Sequence, residues 1–197
     1  MKKIFSVLLL LFMLFAVGCS SNIDITATFF PQGTLNPETG YKQWSTNDQS
    51  IIVTYPHTWF ANTASDSYAI VQLFTPYGDA TPGYREYIVF GAMEPQEGDT
   101  AQSVADDSWN DMKKMFPELE LFKAEARTVS GYEMQYRYFG GHINDEIVGP
   151  EGDYCWQQYS FMASGLSYSI TFSCTKEAES VYGPDFEWIL NELFLAV

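Results

Sequence analysis

The spacing of apolar and polar residues changes several times along the chain, and each change marks an element. Positions 4–17 are almost wholly apolar, a run of about 14 residues that falls short of the ~18 or more needed to cross a bilayer as a helix. Ile23-Asp24-Ile25-Thr26-Ala27-Thr28-Phe29 alternates with period two, the mark of a half-buried strand. Pro31 to Gly40 is rich in turn formers and predicts a loop, so the folded part starts near Tyr41. Ser50–Tyr55 is β-branched and stops at Pro56, while Tyr68–Phe74 and Tyr87–Phe90 are nearly continuous apolar runs suited to the middle of a sheet. A turn-rich connection, Pro76–Gly83, joins those two. The period then lengthens: Ala101, Val104, Ala105, Trp109, Met112, Met115 and Phe116 form one face of a helix that Asp99 or Thr100 can cap and Pro117 stops. Four strands follow. Phe122, Ala124 and Ala126 alternate with Lys123, Glu125 and Arg127; after a Ser130-Gly131 turn, Tyr132, Met134, Tyr136 and Tyr138 alternate with polar residues. Tyr154–Met162 and Tyr168–Cys174 make the last hairpin. A closing helix starting at Pro184, a favoured first helical position, buries Phe186, Ile189, Leu190, Leu193 and Phe194. Strands outnumber helices and their connections are short, which predicts an α+β fold with a mainly antiparallel sheet and at least one helix on a sheet face.

The first apolar run has a second meaning. Lys2 and Lys3 precede it and Ala16-Val17-Gly18-Cys19 closes it, the layout of a secretory signal peptide. Ala-Val-Gly-Cys resembles the bacterial lipobox, in which the cysteine becomes the lipidated first residue of the mature protein. On that reading residues 1–18 are a leader, 19–40 a lipidated N-terminus and tether, and 41–197 a single domain. Each buried CH₂ of an acyl chain contributes about 0.8 kcal/mol, and two chains suffice for stable anchoring. Cys19 would therefore hold the chain to a lipid bilayer from outside the cytoplasm. Ser20, a residue other than Asp after the cysteine, implies the outer membrane if the source has two, by resemblance to enterobacterial sorting.

Loss of Lys2 and Lys3 with the leader leaves eight Lys and Arg against 25 Asp and Glu, a charge of −17. Nucleic-acid binding needs clustered cations, so that class is excluded, and an anionic lipid surface would repel the domain as a whole.

The last hairpin can be read to its register. A turn centred on Ser164-Gly165 sets Phe161 opposite Tyr168, Tyr159 opposite Ile170, Gln157 opposite Phe172 and Cys155 opposite Cys174. The other face carries Met162/Ser167, Ser160/Ser169, Gln158/Thr171 and Trp156/Ser173. A one-residue slip would mix the apolar and polar faces. Directly opposed strand residues lie within disulfide reach, and an exported compartment permits oxidation, so a Cys155–Cys174 bridge is expected. A two-residue turn would place the pair at a hydrogen-bonded site, the less comfortable one for a bridge. The plainer account is two buried free thiols acting as small apolar residues.

Candidate chemistry is sparse. The chain has two histidines, no Gly-x-Ser-x-Gly elbow, no phosphate-binding Gly-Lys-Ser/Thr loop and no His-Glu-x-x-His pair. His57 lies in Tyr55-Pro56-His57-Thr58-Trp59, a turn at a strand end with Trp59 docked in the core. His142 follows Gly140-Gly141 in an expected loop. Either would have to serve a hydrolase with nearby Ser or Asp. Asp145, Glu146, Glu151 and Asp153 bracket a loop containing Gly149, Pro150 and Gly152; such oxygen ligands suit Ca²⁺, although EF-hand spacing is absent and a solvated loop needs no ion. No cofactor is implied.

Three stretches together resemble the PsbP-like superfamily of α/β/α sandwiches. These are Ile52-Val53-Thr54-Tyr55-Pro56-His57-Thr58-Trp59, Val129-Ser130-Gly131-Tyr132-Glu133-Met134-Gln135-Tyr136, and Tyr168-Ser169-Ile170-Thr171-Phe172-Ser173 with Phe186-Glu187-Trp188-Ile189-Leu190 behind it. The resemblance covers roughly residues 41–195. It implies an antiparallel sheet with helices on both faces and a non-enzymatic accessory or binding role, here for another envelope protein. The matching positions are core and turn residues, so no catalytic residue is carried over, and fold likeness is a weak warrant for function.

Overall fold

The structure, a computed structural model, describes residues 34–35, 40–46, 49–62, 69–76, 84–145 and 148–196. The alternating stretch Ile23–Phe29 and most of the Pro76–Gly83 connection lie outside these. In chain order the described elements are β1 Thr34–Leu35, β2 Tyr41–Ser45, β3 Ile51–Pro56, β4 Phe60–Asn62, β5 Ala69–Phe74, β6 Tyr87–Met93, α1 Ala101–Met115, β7 Glu120–Val129, β8 Tyr132–Ile143, β9 Gly152–Ala163, β10 Leu166–Thr175, α2 Lys176–Asn191 and β11 Phe194–Leu195. Seven strands form one sheet in the order β4-β5-β6-β10-β9-β8-β7, and four form a second in the order β1-β2-β3-β11. Every strand pair among them is antiparallel. The fold is therefore α+β, as the strand count and short connections predict.

Two tight turns set the long hairpins. Ser130 (φ 51°) and Gly131 (φ 84°) join β7 to β8, and Ser164 (φ 47°) and Gly165 (φ 77°) join β9 to β10. Positive φ at both central residues is the turn whose twist matches that of paired strands. The second turn gives the expected register, with Phe161 opposite Tyr168, Tyr159 opposite Ile170 and Cys155 opposite Cys174. The bridge itself is a correction: both cysteines are free thiols, with Sγ atoms 3.1 Å apart, whereas a disulfide bond spans about 2.05 Å. Counting outward from Ala163–Leu166, the two-residue turn puts Cys155 and Cys174 at a hydrogen-bonded site, whose Cα separation of about 5.5 Å lies within disulfide reach; the thiols act instead as small buried apolar groups. The hydrogen bond between the thiols, then their burial, pushes the Cys174 thiol pKa up.

The large sheet is covered on both faces. Alternate residues of β8, β9 and β10 (Met134, Tyr136, Cys155, Tyr159, Phe161, Ile170, Phe172) join the inner residues of the small sheet (Trp44, Ile51, Val53, Tyr55) and the buried stripe of α2 in one core. Phe172 stacks on Phe186 with ring centroids 4.9 Å apart. On the other face Phe139, Tyr154, Trp156, Tyr87 and Val89 meet Met112 and Phe116 of α1 and its C-terminal end. Burying each such large side chain contributes about 1.5–3 kcal/mol. The polar side of the last hairpin also proves to be enclosed: Gln158, Ser160, Ser169, Thr171 and Ser173 are buried. Gln158 Nε2 donates to Thr171 Oγ1 at 3.3 Å, while Gln158 Oε1 and Ser160 Oγ have no hydrogen-bond partner.

Three further expectations are corrected. The closing helix begins not at Pro184 but at Lys176, capped by Thr175, and Pro184 sits inside it. Thr175 is the last residue of β10, so strand passes to helix without a loop. Phe194 is not buried by that helix; it belongs to β11, pairs with Ile52 and is half exposed. Within the expected loop Pro31–Gly40, Thr34 and Leu35 pair with Gln43 and Lys42. By contrast α1 starts and ends as its periodicity predicts, with the Thr100 side chain accepting from Ser103 N–H at 3.1 Å and Ser103 Oγ accepting from Thr100 N–H at 2.9 Å.

Candidate functional site

The two histidines do not converge. His57 is exposed in the turn between β3 and β4, at one edge of the large sheet, with Trp59 beside it fully buried. His142 lies on β8, next to the opposite edge and five strand spacings from β4, roughly 24 Å at ~4.8 Å per strand. His142 is in a strand rather than the expected loop because the glycines before it serve strand packing. A Cβ on Gly140 would run into the backbone oxygen of Tyr154, and one on Gly141 would stand 3.1 Å from Glu118 O.

The acidic loop gathers around this histidine. Asp153 is the cross-strand partner of His142, and its Oδ1 lies 2.9 Å from Nδ1 while Glu151 Oε1 lies 3.3 Å from Nε2. The hydrogen bond to Asp153 first, and that to Glu151 second, raises the imidazole pKa. Both ring nitrogens can donate only when the ring is protonated, so the two carboxylates favour the imidazolium form. The calcium candidates are thus divided. Glu151 and Asp153 turn toward His142, the backbone oxygen of Asp145 accepts from Val148 and Gly149 N–H, and Glu146 lies outside the described residues, as does Cys19. Among the described residues, no group of three or more His, Cys, Asp and Glu is placed to hold a metal ion. No helix among them is long and apolar enough to cross a membrane.

Several charged positions carry geometry that their sequence context does not signal. Arg137 is buried on β8, and its Nη2 donates to Asp106 Oδ1 of α1 at 2.6 Å. Burial works to raise the Asp106 pKa, but the bonds from Arg137 and Gln102 outweigh it and hold the carboxyl below its ordinary value. Arg127 on β7 lies 3.6 Å over the Tyr136 ring, donates to Tyr159 Oη at 2.7 Å and pairs with Glu125 at 2.5 Å. Its neighbours Ala124 and Ala126 face outward instead, so on this edge strand the charged side is the better covered one. A bulge between Leu121 and Lys123 leaves Leu121 and Phe122 exposed. Glu86, just ahead of β6, is buried; Thr75 Oγ1 donates to Oε2 at 3.2 Å and Oε1 has no partner, and burial raises its pKa. A carboxylate in front of a single apolar run has no sequence signature separating it from a solvated one.

No protein-family model matches the sequence, and no curated protein does. Solved structures do match in shape. Cyanobacterial PsbP (CyanoP) from Synechocystis sp. PCC 6803 aligns over 90% of this chain and 98% of its own, with TM-score 0.58 and 13% identity. LpqN of Mycobacterium tuberculosis, a protein involved in cell envelope biogenesis, aligns over 78% of this chain and 89% of its own, with TM-score 0.54 and 11% identity. PA94 of Pseudomonas aeruginosa, a protein of unknown function and putative regulator, aligns over 77% and 94%, with TM-score 0.53 and 12% identity. At such identities the likeness speaks for fold alone. With its antiparallel sheets and its helices set on opposite faces of the larger one, the chain has the PsbP-like fold.

Proposed function

We propose that this is a lipid-anchored, extracytoplasmic protein that acts without catalysis, as a binding or accessory module for another protein of the cell envelope. The observation that carries the reading is a lipobox-like Cys19 set in front of a PsbP-like domain. LpqN, which shares the fold, is involved in cell envelope biogenesis. The positions of the histidines also favour binding over hydrolysis: His57 and His142 stand toward opposite edges of the large sheet, and both ring nitrogens of His142 are engaged by carboxylates. In a two-membrane source the anchor sits in the outer membrane.

Two measurements test this. Radiolabelled palmitate is incorporated into the wild type and not into Cys19→Ala; equal labelling of both ends the anchoring part. Crosslinking in intact cells followed by pull-down recovers a reproducible envelope protein. The accessory role fails if instead the purified protein turns over an ester, peptide, phosphate or glycoside substrate and His57→Ala or His142→Ala abolishes that turnover.

A further inference from the structure

The described residues form four sheet edges, and three of them are strands of only two or three residues: β1, β11 and β4. The fourth, β7, has ten residues, and no described strand pairs with its outer side. It is open to solvent as well, with Glu120–Ala124, Ala126 and Thr128 all exposed. An edge of that length offers a row of unpaired backbone groups to another strand. The bulge between Leu121 and Lys123 disrupts the first part of β7; from Lys123 to Val129 each residue faces one residue of β8 without a break. Val129 and Tyr132 close a two-residue turn, so counting outward from them Ala124, Ala126 and Thr128 occupy the non-hydrogen-bonded pairs with β8. Their N–H and C=O groups therefore point away from the sheet, and their side chains are small.

We infer that β7 pairs with β7 of a second copy of this chain, antiparallel and about a two-fold axis through Ala126. In that register Ala126 faces Ala126 of the second copy and Ala124 faces its Thr128, and each pair exchanges both N–H···O bonds. Glu125 then stands opposite Arg127 in both directions, at non-hydrogen-bonded positions with Cα atoms about 4.5 Å apart. The strand is thus complementary to itself. Moving the axis one residue, to Glu125 or to Arg127, would set like charges face to face, which destabilises a strand pair. The groups that meet are also unspent. Lys123 Nζ and Arg127 Nε both go to Glu125 Oε1, and Arg127 Nη1 goes to Tyr159 and Glu187; Glu125 Oε2 and Arg127 Nη2 have no partner among the described residues. Neither covering layer obstructs the pairing, because α1 packs chiefly on β9 and β8, and α2 on β10, β3 and β9. Two copies of α1 would stand roughly 20 Å apart at ~4.8 Å per strand, about twice the spacing of packed helices. The axis is perpendicular to the sheet, so both small sheets, each carrying a β1 on the chain from residue 19, lie on the same side of the dimer. That side suits two chains on one bilayer, and confinement there would raise their effective concentration; this clause rests on the proposed anchoring at Cys19, whereas the pairing does not.

The test uses the full-length protein in its native membrane, with Ala126→Cys and a mild oxidant; the native Cys155 and Cys174 are buried. The new thiols face each other across the axis, within disulfide reach. In Lys123→Cys they are six residues out of step, roughly 20 Å apart. A covalent dimer at Ala126→Cys and none at Lys123→Cys is expected. No dimer at either position, or equal yields at both, overturns the inference. So does capture of a different protein alone, which would mark β7 as an edge for another chain's strand. Sedimentation of the purified full-length protein in detergent should give a dimer whose Kd Ala126→Pro weakens about tenfold or more. The N–H removed there points outward, so pairing with β8 and the melting temperature are kept. A wild type that stays monomeric, or a dimer indifferent to Ala126→Pro, refutes the pairing. Glu125→Arg alone should break the dimer and Glu125→Arg/Arg127→Glu should restore it; a folded double variant that stays monomeric refutes the register. If that variant does not fold, Ala126→Cys and Ala126→Pro still decide. Palmitate labelling of Cys19→Ala reports on the anchor and its sedimentation on the pairing, so the two readings fail separately.

Discussion

Gly140 stands where β8 and β9 leave no room for a side chain, since an added Cβ would meet the Tyr154 backbone oxygen, Phe122 Cε2 at 3.0 Å and Cys155 Cα at 3.2 Å. Two of those three atoms are backbone and cannot swing aside. Gly140→Ala is therefore expected to cost about 2–3 kcal/mol, in the range of overpacked sites. At Gly165 an added Cβ would meet no atom within 4 Å, but the residue adopts φ 77°, so Gly165→Ala costs only roughly 1 kcal/mol. Urea denaturation of both variants measures the contrast, and an equal loss would show that the steric account of Gly140 is wrong. At the same scale, His142 is predicted to titrate above an ordinary histidine, because Asp153 and Glu151 favour its charged form. A folded pKa raised above the unfolded value of ~6.5 gives a stabilisation fully present below that value and lost as pH rises through the folded pKa. NMR titration of the ring should show the raised pKa in the wild type and a lower one in Asp153→Asn. An unchanged pKa in that variant would detach the histidine from its carboxylate. These residues also mark where reading the sequence stops: Gly140-Gly141 has the composition of a loop, and only the close backbone of a neighbouring strand turns it into β8.

Elements built on local chemistry are legible in the chain, and those decided by distant neighbours are not. The Thr100 cap, the 3–4 spacing of α1 and the Ser164-Gly165 turn are all written in adjacent residues, and the structure has each of them. The start of α2 differs from its local signal: Pro184 suits a first turn, but the Thr175 cap and the burial of Ala178 and Tyr182 extend the helix eight residues earlier. Alternation marks one face of the last hairpin as mostly polar, and α1 and Arg137 belong to that side and enclose it. Their link is testable. Arg137 is buried and Asp106 is about half exposed, so the pair sits between a surface bridge and a buried one. Asp106→Ala leaves the guanidinium without its carboxylate and is expected to cost about 2 kcal/mol, below the 3–5 of a fully buried pair. Burial opposes the charge on Asp106, but its bonds prevail and hold the pKa down. Its contribution is therefore present above the unfolded carboxylate value and lost as pH falls through the lower folded one. Equal denaturation midpoints for wild type and Asp106→Ala at neutral pH would remove the pair from the account of how α1 is held.

Over the whole molecule the surplus of acid dominates the electrostatics. The ion pairs Lys123–Glu125, Lys114–Asp111 and Lys176–Glu179 each hold an exposed lysine at the surface, and surface pairs contribute about 0–1 kcal/mol each. Against them stands the mutual repulsion of a mature chain at −17, which acts on every carboxylate at the surface and opposes the compact state. Salt weakens both, but the repulsion involves many pairs at long range and the attractions only a few at short range, so screening removes more repulsion than attraction. The melting temperature of the protein should thus rise as sodium chloride is added up to physiological strength. Replacing exposed acids by their amides should reduce the rise: Asp107→Asn, Glu118→Gln and Glu133→Gln together are expected to raise the melting temperature in low salt and to flatten its salt dependence. A melting temperature that fell with added salt would mean that the ion pairs outweigh the net charge. The fold would then be held by the pairing on α1, β7 and α2 to a degree their exposure does not account for.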